Sequence, residues 1–213
     1  MNISSKLIKA KPTSRFINRE ISQVLFNVRV LDLSEDKSIP LLERLRFLSI
    51  FSSNMDEFFE IRVSGLIARL EAGSIEPTID GLRPDQILTR LRKLIPSLVE
   101  RQYNILNKEL LPELAANGIM FLKRAQWSVN LRKKLHRYFT SHVKPILTPV
   151  GLDPAHPFPK ILNKSLNFAI ELEGKNILGK KINLALLQAP RALPRFLKVS
   201  DEKDEEIKFV FLS

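Results

Sequence analysis

Cysteine is absent from the chain, which excludes disulfides and thiolate-held metals and agrees with a reducing, cytoplasmic setting. Long apolar runs are absent too. No uncharged stretch exceeds nine residues, whereas a membrane-crossing helix needs about 18 or more. The first 15 residues carry lysines but no apolar block, so they do not form a secretory signal. Low-complexity tracts are missing, and 44% apolar content with 27% charge describes a folded chain with a real core. Acid is the scarce sign: 23 Asp and Glu stand against 34 Lys and Arg, a formal net charge of +11. That imbalance attracts polyanions, and an inorganic phosphate chain serves as well as nucleic acid. A basic face also suits peripheral contact with an anionic membrane, and a plain solvated basic surface explains the same charge.

The first half reads as helix. Residues 21–33 form a short amphipathic segment, and Pro40 suits the first turn of the next helix because its missing N–H costs nothing there. Leu45, Leu48, Met55, Phe59, Val63, Leu66 and Leu70 then recur in steps of three, four or seven, the helical period. Gly73 is the natural stop. A third helix opens near Asp85 with Ile87, Leu88, Leu91, Leu94, Ile95 and Leu98 on one face, and Pro96 predicts a kink or a break within it.

The second half changes character near Gly118. Residues 119–122 read as a short strand, and residues 127–139 as a basic helix capped by Ser128. Pro145, Pro149, Pro154, Pro157 and Pro159 predict a stiff irregular loop. Leu166, Phe168, Ile170 and Leu172 alternate with polar or small neighbours, as do Ile182, Leu184 and Leu186. Period two means half-buried strands, paired as a hairpin across residues 174–181. Ile207, Phe209 and Phe211 begin another strand, read as an unprotected edge from which the natural chain continues.

Three features bear on chemistry. Residues 174–181, GKNILGKK, approach the phosphate-binding loop but carry Lys181 where a Mg²⁺-holding hydroxyl is needed, and a strand follows instead of a helix. They read as a basic hairpin loop. His136, His142 and His156 lack metal-ligand spacing and paired carboxylates, so they read as structural or surface residues, with His156 immobilised by flanking prolines. The third feature is a polar island, Ser52, Ser53 and Asn54, inside an apolar helix. On helical spacing Asn54 shares a face with Phe47, Ile50, Phe51, Phe58 and Ile61. An amide framed by aromatic rings has what is needed to read a purine edge, since Asn pairs with N6 and N7 of adenine. The same pattern describes an Asn bonded to a neighbouring helix in the core, the commoner arrangement for a buried polar side chain.

RFINREIS (15–22), FNVRVL (26–31) and above all PLLERLRFLSIFSSNMDEFF (40–59) are similar to the opening of large bacterial polyphosphate kinases. LTPVGLDPAHPFP (147–159), NKSLN (163–167) and QAPRALPR (188–195) resemble the same family further on. The resemblance implies an α+β architecture: a flexible basic tail (1–15), an all-α amino-terminal bundle (16–115), and a head domain with antiparallel strands (116–213), incomplete at its C-terminus. It implies a cytoplasmic, Mg²⁺-dependent ATP:polyphosphate phosphotransferase working reversibly through a phosphohistidine. Asn54 then corresponds to the family's ATP-base contact. The catalytic histidine and Mg²⁺ ligands are expected outside this segment, which alone is expected to be inactive. ATP and inorganic polyphosphate are the implied partners, with homo-oligomer contacts through the head domain and no nucleic acid. One departure is Gln23, where the family usually has Trp. Two readings from other classes stand beside this one: a basic polyanion-binding module without catalysis, and a helical domain that docks partner chains.

Overall fold

The computed structural model describes residues 15–152, 157–173, 184–200 and 205–212. The chain divides into two compact units, residues 1–117 and 118–213.

The first unit is helical. α1 (Arg19–Glu35) begins where Asn18 accepts from the Ile21 N–H at 3.1 Å, satisfying one of the free donors that every helix start exposes. Asp36 then turns the chain by accepting from the N–H and hydroxyl of Ser38, at 2.9 and 2.7 Å. Pro40 stands one position earlier than predicted, as the cap residue before α2 (Leu41–Glu57). The helical path continues through a π-helical stretch, Phe58–Val63, into α3 (Ser64–Glu71). It ends at Gly73, whose φ of 73° suits a residue without a Cβ.

α4 (Pro84–Asn104) runs unbroken through Pro96. That residue lies on the exposed face, so the carbonyl it leaves unbonded one turn earlier can face water, and the predicted break into two helices does not occur. A second π-helical stretch, Ile105–Leu110, leads into α5 (Leu111–Ala116).

The core of this unit joins Val24, Val28 and Leu31 of α1 to Leu48, Phe51 and Met55 of α2 and to the predicted apolar face of α4. One expectation fails in phase. Leu48, Phe51, Met55 and Phe58 are buried, whereas Phe59 is 45% exposed. The stripe steps by three after Met55, and the wider π turn that follows re-phases the helix. Each such residue contributes about 1.5–3 kcal/mol by leaving water.

One charge lies inside the same bundle. Arg44 is 1% exposed, donates to the Ser34 carbonyl at 3.0 Å and to Glu113 at 2.7 Å, and ties three helices. Its Nη2 stands 3.5 Å from Glu109, an ion-pair distance without a hydrogen bond. Nearby, Arg101 of α4 grips Glu35 and Asp32 of α1; hydrogen bonding to Glu35, then to Asp32, holds its guanidinium well above the ordinary arginine range.

The second unit carries β1 (Ile119–Phe121), α6 (Val129–Tyr138), β2 (Pro149–Gly151), β3 (Asn167–Glu171), β4 (Leu184–Gln188), β5 (Phe196–Lys198) and β6 (Ile207–Phe211). Ser128 caps α6, accepting from the Leu131 N–H at 3.2 Å. In one sheet, order β2-β4-β3, both pairings are antiparallel, and Phe168 faces Leu187 across the ladder. The predicted hairpin strands therefore pair, although residues 174–183 between them lie outside the described set. The proline-rich stretch is not wholly irregular: Pro149 opens β2, an edge strand, where a residue without an N–H is tolerated.

The other sheet has the order β1-β6-β5, with β6 parallel to β1 and antiparallel to β5. β6 is thus a central strand, paired on both sides, and the expected unprotected edge is corrected. Phe121, Phe196, Phe209 and Phe211 cluster on this sheet, with the Phe121 and Phe209 rings stacked at 5.5 Å, within the range of favourable offset stacking.

Candidate functional site

Asn54 sits one turn before the π-helical stretch, half-buried, with Ser53, Asp56 and Glu57 exposed around it. Its Nδ2 donates to Oδ1 of Asn27 at 2.8 Å. Asn27, on α1, is 1% exposed and donates its own Nδ2 to the Gln23 carbonyl at 3.1 Å. The chain of bonds has one direction, α2 to α1 to backbone. A carbonyl oxygen can only accept, so the Asn27 oxygen must meet an N–H of Asn54.

Asn54 meets the second expectation drawn from its sequence, the bond to a neighbouring helix. One N–H is bonded to a neighbouring helix. Its Oδ1 makes no hydrogen bond within the described residues, and its second N–H is likewise unengaged. The residue is half-buried, so the side chain is not sealed inside the bundle.

The aromatic framing is corrected for two of its three rings. Phe51 and Phe58 are fully buried and belong to the core, so neither offers a stacking face, whereas Phe47 is half-buried. The exposed apolar side chains nearest Asn54 on helical spacing are Ile50 at 38% and Ile61 at 56%. Helical periodicity alone does not separate a ring that lines a pocket from one that fills the bundle. Asn27 was not singled out from the sequence, although an Asn in register with Val24, Val28 and Leu31 is the signal that marks it: a buried amide among apolar neighbours needs a partner.

The remaining candidates are not gathered at this site. His136 and His142 are exposed on the second unit; the His142 ring stacks on Tyr138 at 4.8 Å, with Nδ1 3.0 Å from the Ser141 hydroxyl. His156 and the loop at residues 174–181 lie outside the described residues. Arg132, Lys133, Lys134 and Arg137 project from α6 as an exposed basic face. Among the described residues, no group of three or more His and carboxylate side chains is arranged to hold a metal ion, and no helix is long and apolar enough to cross a membrane.

Comparison with known proteins adds a consistent set of likenesses. The polyphosphate kinase N-terminal domain family matches residues 16–122, and the polyphosphate kinase middle domain family matches residues 130–213. A polyphosphate kinase of Pseudomonas aeruginosa is 49% identical over 202 residues, 94% of this chain and 29% of that protein. One from Pseudomonas syringae pv. tomato is 50% identical over 202 residues, 94% of this chain and 27% of its own length. The crystal structure of polyphosphate kinase from Porphyromonas gingivalis superposes with a TM-score of 0.74 at 30% identity, covering 92% of this chain and 28% of that one. The chain spans less than a third of the length of these relatives.

Proposed function

This chain belongs to the polyphosphate kinase family, and from that premise we propose that it is the ATP-contacting amino-terminal part of an ATP:polyphosphate phosphotransferase. The reaction moves the terminal phosphate of ATP reversibly onto inorganic polyphosphate, by way of a phosphohistidine supplied from outside these residues. Mg²⁺, also held elsewhere, supplies charge neutralisation on the transferred phosphates. The contribution of this segment is to seat the base. The observation that carries the reading is the half-exposed Asn54 amide with one N–H and one carbonyl oxygen still unbonded, the complement of the N6/N7 edge of adenine.

In an enzyme containing this chain, Asn54→Ala is expected to raise the KM for ATP by about 10-fold or more, given roughly 1–3 kcal/mol for a good bidentate base contact. Far-UV circular dichroism should be unchanged, because the side chain is only half-buried. An unaltered KM rejects the reading.

The exposed cations of α6 favour a second reading, a polyanion-binding surface. It predicts retention on heparin that weakens steeply with salt. It is compatible with the first reading if the polyanion is the phosphate chain itself.

A further inference from the structure

We propose that Asn27 is a positioning residue that locks the Asn54 carboxamide in the one orientation that matches adenine. The inference rests on the reading of Asn54 as a base contact.

An isolated Asn amide can turn over, exchanging its oxygen and nitrogen, with little preference. Asn54 is not isolated. Its Nδ2 lies 2.8 Å from the Asn27 oxygen, and turning it over would bring two carbonyl oxygens together at that distance. Asn27 cannot turn either, because its Nδ2 is engaged with the Gln23 carbonyl at 3.1 Å, a fixed point on the helix backbone one turn earlier. The order in the exposed amide is thus inherited from the backbone through a side chain that is 1% exposed and out of reach of any ligand.

The locked amide offers an acceptor beside a donor in fixed order. Adenine presents an N6 donor and an N7 acceptor and matches both; guanine presents two acceptors, O6 and N7, and leaves one oxygen facing another. Released from Asn27, the Asn54 amide populates both orders. Adenine then binds only the competent fraction, and the contrast between the bases shrinks. A core amide also has no packing advantage over a leucine at a position flanked by Val24, Val28 and Leu31, which is why the hydrogen bond, and not the volume, is the feature to test.

The test compares kcat/KM for ATP and GTP, with polyphosphate as acceptor, in the enzyme carrying Asn54→Ala, Asn27→Ala, both substitutions, or Asn27→Asp. Asn27→Leu fills the same space without an acceptor and substitutes for Asn27→Ala if that variant does not fold. The expected result is a fall of about twofold in the ATP-over-GTP ratio for Asn27→Ala, because about half of the released amides hold the competent order, with no further fall when it is added to Asn54→Ala, since residues acting through one contact are not additive. In Asn27→Asp burial keeps the carboxyl protonated, so its hydroxyl donates to the Gln23 carbonyl while the other oxygen still accepts from Asn54, and the ATP-over-GTP ratio should stay at the unsubstituted value. If Asn54→Ala lowers the ratio while Asn27→Ala and Asn27→Leu leave it intact, or if the two effects simply add, the positioning role is overturned and the base contact survives. If Asn54→Ala leaves the ratio unchanged, the base contact itself is wrong, and this inference goes with it.

Discussion

The two units of this chain bury their apolar side chains very differently. In the helical unit Phe51, Phe58, Leu31 and Leu98 are wholly removed from water. In the sheet-bearing unit, among the described residues, only Val143, Ala185 and Val210 are buried hydrophobics, while Phe158, Phe168, Phe196 and Phe211 are 45–65% exposed. The contrast follows from how each unit closes. A helix satisfies its own backbone and needs only one face covered. A three-stranded sheet has two faces and two edges to cover. The lesson is that the helical unit holds itself together, whereas the sheets here support much less of their own packing.

The sharpest way to break this comparison is core truncation. Phe58→Ala should cost about 3–5 kcal/mol in urea unfolding followed by circular dichroism, and Phe211→Ala less than about 1 kcal/mol. Equal losses would erase the distinction. The charge networks provide the next largest contrast. Glu113→Ala removes the 2.7 Å partner of buried Arg44 and should destabilise by about 1–3 kcal/mol, less than breaking a wholly buried pair, because Glu113 is itself 45% exposed and Glu109 remains within 3.5 Å. Glu206→Ala, which breaks the largely solvated Lys208–Glu206 pair at 2.7 Å, should cost less than about 1 kcal/mol.

A third, subtler check uses the lone tryptophan. Trp127 lies in the sheet-bearing unit, so its fluorescence should report a lower denaturant midpoint than the helix signal at 222 nm. Coincident midpoints would mean that the units unfold as one. The smallest effect is acid. Hydrogen bonding from Ser38 lowers the Asp36 carboxyl below its ordinary range, and bonding from Arg83 does the same for Asp85. A lowered folded-state value contributes stability above the unfolded-state value, and that contribution is lost as pH falls through the lowered one. Asp36→Asn and Asp85→Asn should therefore flatten the loss of stability below about pH 4 in the helical signal, leaving the Trp127 transition where it was.

Much of this architecture was legible because it is local. Periodicity marked α1, α2 and α4, alternation marked β3, β4 and β6, and Ser128 and Gly73 announced their ends. What escaped was either too short or too distant. β5 has three residues and no room to display a period. Steps of three and four are both helical, so periodicity could not choose between Phe58 and Phe59 after Met55, and the π turn that follows changes the phase without a compositional mark. The central position of β6 depends on pairing with β1 far earlier in the chain, which no local window contains. Asn54 itself stood out as a polar residue among apolar ones. Its partner did not, because recognising Asn27 requires knowing which two helices lie side by side.

The parallel pairing of β1 with β6 also has a consequence for synthesis. About 85 residues separate Phe121 from Ile207, and a ribosome adds roughly 5–20 residues per second. β1 therefore emerges and waits roughly 4–17 s for the strand that will sit beside it, its Phe121 ring uncovered meanwhile, while every helix of the first unit is already out and free to pack. Chaperone demand during translation should be concentrated in that interval.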